Sequence, residues 1–241
     1  NSEEFINAAK VISDLGYKEI NLNLGCPSGT VVTKGKGSGF LKYVDKLDSF
    51  FEEVFNKCDT KISIKTRIGF LDKDEFPEIL KVYNKYPFEE IIIHPRTRED
   101  LYKNTPDINT FDFAFNNTKL KLCYNGDVFS IENYENIINR FKEINSVMIG
   151  RGILKNPCIA GMIKNNEKMD LKKIFVFHDR LYLDYKDYMS GEIPVLFKMK
   201  ELWAFMIESF ENSDKIAKKI RKSKSLKEYD LIINKMKEDY V

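Results

Sequence analysis

Short apolar runs alternate five times with longer amphipathic stretches before residue 150, and a chain patterned in this way has few ways to fold. The apolar runs at 17–24, 61–68, 89–95, 119–125 and 146–150 predict strands. The stretches at 3–15, 43–56, 74–85 and 130–141 space their apolar residues as one helix face. Strand-helix alternation implies a parallel sheet covered by helices. An open doubly wound sheet carries its phosphate loop at the first strand, whereas a closed eight-stranded barrel grips phosphate after its last two strands. Here the glycine-bearing turns stand at the last two strands, as Tyr-Asn-Gly-Asp at 124–127 and Gly-Arg-Gly-Ile at 150–153. The expected fold is therefore α/β, a TIM-type (β/α)8 barrel. With five strands counted against eight, these are expected to be strands four to eight of an incomplete barrel.

After about residue 170 the strands stop, and lysine-rich, aromatic-rich helical segments follow. The expected division is a barrel domain at 1–168 and a small all-α domain at 169–241. Within the latter, residues 215–227 (KIAKKIRKSKSLK) carry six lysines, one arginine and no acid. Such a run is either a solvated helix face or a contact for a phosphate backbone.

Composition excludes several classes. Of 241 residues, 43% are hydrophobic and 32% charged, and no apolar run approaches the roughly 18 to 20 residues of a membrane helix. The opening NSEEFINAAK lacks the basic flank and apolar core of a signal peptide, so a cytoplasmic location without membrane partners is expected. Cys26, Cys58, Cys123 and Cys158 lie more than thirty residues apart, and there are only two histidines, which argues against a zinc site or a disulfide framework. No metal is expected.

In a parallel barrel the residues that finish the strands converge at one end, where catalytic groups sit. Here they are Asn21, Asn23 and Cys26; Lys65 and Arg67; His94, Arg96 and Arg98; Asn125 and Asp127; Gly150 and Arg151. The rim is cationic and nearly devoid of carboxylate. Period-two spacing puts Lys65 and Arg67 on one face of their strand. A lysine inside an apolar strand is costly to bury without a purpose. A flat, phosphorylated cofactor across the mouth would meet Lys65 at one end and the glycine turns at the other, and FMN has that shape.

The stretches INLNLGCPSGTVVTKGKGSGFL, IKTRIGF, IHPRTREDLY, YNGDVFS and VMIGRGILKNP resemble, in this order, successive motifs of the tRNA-dihydrouridine synthases. The resemblance runs from residue 1 to about residue 160, and the tail resembles the family's C-terminal RNA-binding domain more loosely. It implies an FMN enzyme, reduced by NADPH, that converts a uridine in the tRNA D-loop to 5,6-dihydrouridine. Cys26 would be the general acid that protonates uracil C5, a role open to thiols because they are mainly protonated at neutral pH. The resemblance further implies Lys65 and His94 at the flavin ring, and Asn125, Gly126, Asp127, Gly150 and Arg151 at the ribityl phosphate end. Asn23, Arg67 and Tyr102 would contact the target nucleotide, and the 215–227 run with Trp203 would face tRNA.

Asn21 stands where the family commonly has Asp, and Pro95 follows His94 where Gly is usual, so the loop after His94 is expected to approach the flavin differently. The family's first-strand Pro-Met-Ala-Gly segment and third-strand glutamine have no counterpart here. Two rival readings stay open: a truncated, non-catalytic tRNA-binding fragment, and an FMN barrel reducing free pyrimidines in the manner of a dihydroorotate dehydrogenase. Oligomeric state is not legible.

Overall fold

The computed structural model describes residues 1–241. Helix α1 (Ser2–Asp14) begins where the Asn1 side chain accepts from the Glu4 N–H at 2.8 Å and ends just before Gly16, whose φ of +93° no helix continues. Strands β1 (Glu19–Leu24), β2 (Lys61–Arg67), β3 (Ile91–His94), β4 (Leu122–Tyr124) and β5 (Ser146–Val147) form one parallel sheet in the order β1-β2-β3-β4-β5. Each strand lies beside its neighbour in sequence, as around a TIM-type barrel, and the order never reverses as it does in a doubly wound sheet.

The register separates two faces. Asn21 pairs with Ser63, Asn23 with Lys65, Arg67 with His94 and Ile92 with Cys123, so one face is largely polar. The other carries Leu24, Ile62, Ile64, Ile91, Ile93 and Leu122, all buried. The apolar face is covered by α3 (Val44–Lys57), which follows the short helix α2 (Gly29–Val32) and a 3-10 turn (Gly37–Lys42), and by α4 (Phe76–Tyr83). Phe51, Tyr83 and Phe88 meet edge-to-face there, the Phe51–Phe88 centroids 4.9 Å apart. Thr66, polar on the apolar face, is satisfied by the Tyr83 hydroxyl at 3.0 Å.

Helix α5 (Ile108–Asn117) stands where no helix was predicted. Its signal is Asp107, whose carboxylate accepts from Asn109 and Thr110 N–H groups, followed by buried Phe111 and Ala114 three positions apart. Helix α6 (Ile131–Arg140) precedes β5, which is two residues long where five were expected.

The chain forms two compact units, Asn1–Asp127 with Asn136–Met148, and Val128–Glu135 with Ile149–Val241. The second holds α7 (Arg151–Lys155), α8 (Ile159–Asn165), α9 (Leu171–Tyr188), α10 (Glu192–Met206), α11 (Asp214–Lys222) and α12 (Leu226–Tyr240). It begins earlier than the division at 168/169, because α7 packs against α10 and the Lys155 carbonyl accepts from Ser209 Oγ at 2.7 Å. Trp203 corrects an expectation. It is 2% exposed, at the centre of a core with Phe175, Met199 and Met236, and so does not belong to an RNA-facing surface. Its indole Nε1–H donates to the Tyr229 hydroxyl at 2.7 Å, which in turn lies 2.6 Å from His178 Nε2. A buried indole with its N–H satisfied is a core residue. No helix is long and apolar enough to cross a membrane.

Candidate active site

The turn after β1 is held on three sides. Asn23 Oδ1 accepts from the N–H groups of Gly25 (3.0 Å) and Cys26 (3.1 Å), an Asx turn that closes the end of the strand. The Cys26 carbonyl accepts from Ser38 N–H (3.0 Å) and Ser38 Oγ (2.8 Å). Arg67 Nε donates to the Gly25 carbonyl at 3.0 Å. All these bonds go to backbone, and the half-buried thiol sits on a cavity of about 590 Å³ lined also by Phe5, Leu22, Val31 and Phe40. Gly37 explains the glycine-rich segment that follows. Its φ is +56°, and a Cβ there would come within 2.8 Å of the Cys26 carbonyl oxygen. The loop returns onto Cys26 only because this position has no side chain.

Lys65 lies on the polar face beside Asn23, and its Nζ would be 3.8 Å from a Cβ on Gly25, so the amine sits against the Cys26 turn. No carboxylate pairs with it. Burial, and then the Arg67 guanidinium, pull its pKa below the usual lysine range.

Arg67 is 1% exposed and donates to three carbonyls from two loops: Gly25 (3.0 Å), Thr97 (2.6 Å) and Leu101 (2.9 Å). The exposed Tyr102 ring covers the guanidinium at 5.5 Å, a cation–π distance. Arg67 therefore joins the loop carrying Tyr102 to the one carrying Cys26, and its donors are directed at protein carbonyls.

His94 ends β3 and is 7% exposed. Burial first, then the cations of Arg67, Lys65 and Arg96, lower its pKa to about 3, with Asp127 opposing. The unfolded chain takes up this proton below pH ~6.5 and the folded chain does not until near pH 3, so the stability His94 contributes is complete above pH ~6.5 and is lost as pH falls. We expect the urea midpoint to drop between pH 6.5 and 5, with a slope from this residue on the order of 1 kcal/mol per pH unit that a His94→Asn variant lacks. Equal slopes for both proteins would show that His94 is not buried in its neutral form.

Asp127 goes to Arg96 as a fork, Oδ1 to Nη1 at 2.9 Å and Oδ2 to Nη2 at 2.6 Å. Asn125 donates from Nδ2 to the Met148 carbonyl at 2.9 Å. Gly126 covers the tip of Tyr124, where a Cβ would fall 2.1 Å from the hydroxyl. The first unit thus brings together Asn23, Cys26, Lys65, Arg67, His94, Tyr102, Asn125, Gly126 and Asp127 at the C-terminal ends of its strands. Arg96 was seen in the sequence as a rim residue without a role, and its interactions are what the sequence reading missed.

In the second unit Gly150 precedes α7 with open space where a Cβ would stand, and Arg151 begins that helix with its guanidinium 5.4 Å from the Phe129 ring. Lys215, Lys218, Lys219 and Lys222 of α11 line a groove of about 630 Å³ together with Glu228, Leu231 and Ile232 of α12.

Comparison with known proteins decides the family. A family model described as Dihydrouridine synthase (Dus) matches residues 1–239. The chain belongs to the dihydrouridine synthase family. A probable tRNA-dihydrouridine synthase of Staphylococcus epidermidis is 33% identical over 162 residues, covering 64% of this chain and 48% of that protein. A probable tRNA-dihydrouridine synthase of Helicobacter pylori is 30% identical over 207 residues, 84% of this chain and 60% of that protein. The tRNA-dihydrouridine synthase B of Pasteurella multocida is 28% identical over 165 residues, 68% of this chain and 49% of that protein. The chain spans about half the length of these Dus relatives, from 48% to 60%.

Proposed function

We propose that the protein carrying this chain is a tRNA-dihydrouridine synthase that reduces a D-loop uridine to 5,6-dihydrouridine with FMN and NADPH, its five strands being strands four to eight of the barrel. The observation that carries the reading is the Lys65 amine, unpaired with any carboxylate and set against the turn that presents Cys26. A flavin fits these residues: Lys65 would face the part of the ring that gathers negative charge, and the neutral His94 would offer it a hydrogen bond. Bound there, FMN supplies the hydride for uracil C6.

Cys26 supplies the proton for C5 from Sγ, on a turn against which the Lys65 amine sits at Gly25. Asn23 and Tyr102 line the side of the mouth where the uracil enters, and Arg67 holds the two loops together beneath it. Asn125, Gly126 and Asp127 are assigned to the ribityl phosphate end. Gly150 and Arg151 keep the phosphate role that the family likeness implies. On the second unit the four lysines of α11 suit a nucleic-acid backbone, whose contacts position the substrate while an extruded base enters a pocket.

The test is to supply unmodified tRNA, FMN and NADPH and to measure dihydrouridine. Turnover on tRNA with none on free uracil or dihydroorotate is expected. Turnover on the free bases alone would move the assignment to pyrimidine metabolism, and tRNA binding without any flavin absorbance would leave a non-catalytic tRNA-binding protein.

A further inference from the structure

Arg96 is 2% exposed, and every donor of its guanidinium is used. Nε donates to the Asn104 carbonyl at 2.9 Å, Nη1 to Asp127 Oδ1 and to His94 Nε2 at 3.1 Å, and Nη2 to Asp127 Oδ2 and again to the Asn104 carbonyl. The side chain is placed by its own turn. Arg96 N–H donates to the His94 carbonyl at 2.7 Å, closing a three-residue turn around Pro95, whose ring fixes φ near the value such a turn needs. The fork from Asp127 then prevents the guanidinium from rotating away.

A guanidinium has five donors and no acceptor, so the nitrogen it faces must accept. His94 Nε2 therefore carries a lone pair, and the proton of a neutral ring is on Nδ1. The groups facing this ring are Lys65 and Arg67 from β2, Arg96 from the turn after β3, and Asp127 from the turn after β4, with the Tyr102 ring centroid 6.1 Å away. Three cations against one carboxylate favour a neutral ring. The hydrogen bond to Arg96 engages Nε2, which leaves Nδ1–H as the donor of the ring.

We propose that Arg96 is a positioning residue: it fixes His94 as the neutral Nδ1–H tautomer, so that the mouth of the strands offers an N–H donor to an acceptor atom of the bound ligand. The identity of that ligand as a flavin rests on the function proposed above, whereas the tautomer does not. With only two histidines in the chain, nitrogen NMR on protein labelled with ¹⁵N in His and Arg resolves each ring, and a His94→Gln variant assigns them.

The expected spectrum has His94 protonated at Nδ1 and bare at Nε2, unchanged from about pH 5.5 to 8, with a through-hydrogen-bond coupling between Nε2 and an arginine Nη. Arg96→Met should give a ring that exchanges between tautomers, and Arg96→Lys, with no planar fork, should do the same, while burial and the cations of β2 keep the ring neutral in both. A proton on Nε2, or titration near pH 6.5 in the unaltered chain, overturns the proposal whether or not either variant folds. Absence of FMN binding together with the expected spectrum would defeat the flavin reading and leave Arg96 in its role.

Discussion

Exchanging Cys26 for alanine is expected to lower dihydrouridine formation by roughly 10²- to 10⁴-fold, the usual worth of a positioned general acid, while flavin and tRNA stay bound. Binding should survive because nothing that shapes the turn involves the sulfur. Asn23 and Ser38 hold the Cys26 backbone, Arg67 holds Gly25, and Gly37 closes over the Cys26 carbonyl. With the side chain half-buried at the cavity, its removal should cost less than about 1 kcal/mol of stability. Rate and stability therefore separate, which a structural cysteine would not allow. The other thiols serve as controls: Cys123 is buried, its pKa pushed up to about 11 by burial, and its replacement should affect folding before chemistry. Normal product yield from Cys26→Ala would remove the assigned acid, and a matching loss of flavin binding would make Cys26 a packing residue.

The sheet was legible because its signals are local. Each strand is a short apolar run, and period-two spacing already placed Lys65 and Arg67 on one face, where the register puts them. What Arg67 does was not legible, because its partners are distant in sequence and belong to the backbone. Arg67 reaches carbonyls 30 to 42 positions away, and no sequence pattern marks a carbonyl as an acceptor. Distance in sequence also hid Asp127, which the family likeness assigns to a phosphate and which accepts a fork from the Arg96 side chain, 31 positions earlier. Trp203 illustrates the opposite error. In a lysine-rich helix it looks like a base-stacking surface residue, but the Tyr229 hydroxyl supplies the one partner an indole needs to be buried. The glycine-rich segment after Cys26 folds as a short helix and a 3-10 turn, because Gly37 can approach the Cys26 carbonyl where any other residue would collide.

Arg67→Met is expected to cost about 3 kcal/mol or more of folding stability, because it removes a buried charged donor from three carbonyls at once. Part of the loss is offset. Arg67 is among the cations that depress Lys65 and His94, so both would move back toward their ordinary values in the variant. The offset is limited because burial is the larger cause at each. Leu101 adds to the cost: its φ of 51° is left-handed and unusual for leucine, and the Arg67 bond to its carbonyl helps to hold it there. The variant should also remove the guanidinium on which the Tyr102 ring rests. A residue that only touched the substrate would behave differently, raising KM with the denaturation midpoint unchanged. A tie between loops predicts a lower midpoint, a lower kcat through misplacement of Cys26, and partial recovery in Arg67→Lys, which keeps the charge without the planar set of donors. Denaturation and kinetics of the two variants choose between these accounts: an unchanged midpoint with raised KM would return Arg67 to the substrate, and a fall in both midpoint and kcat makes it the strut on which the thiol depends.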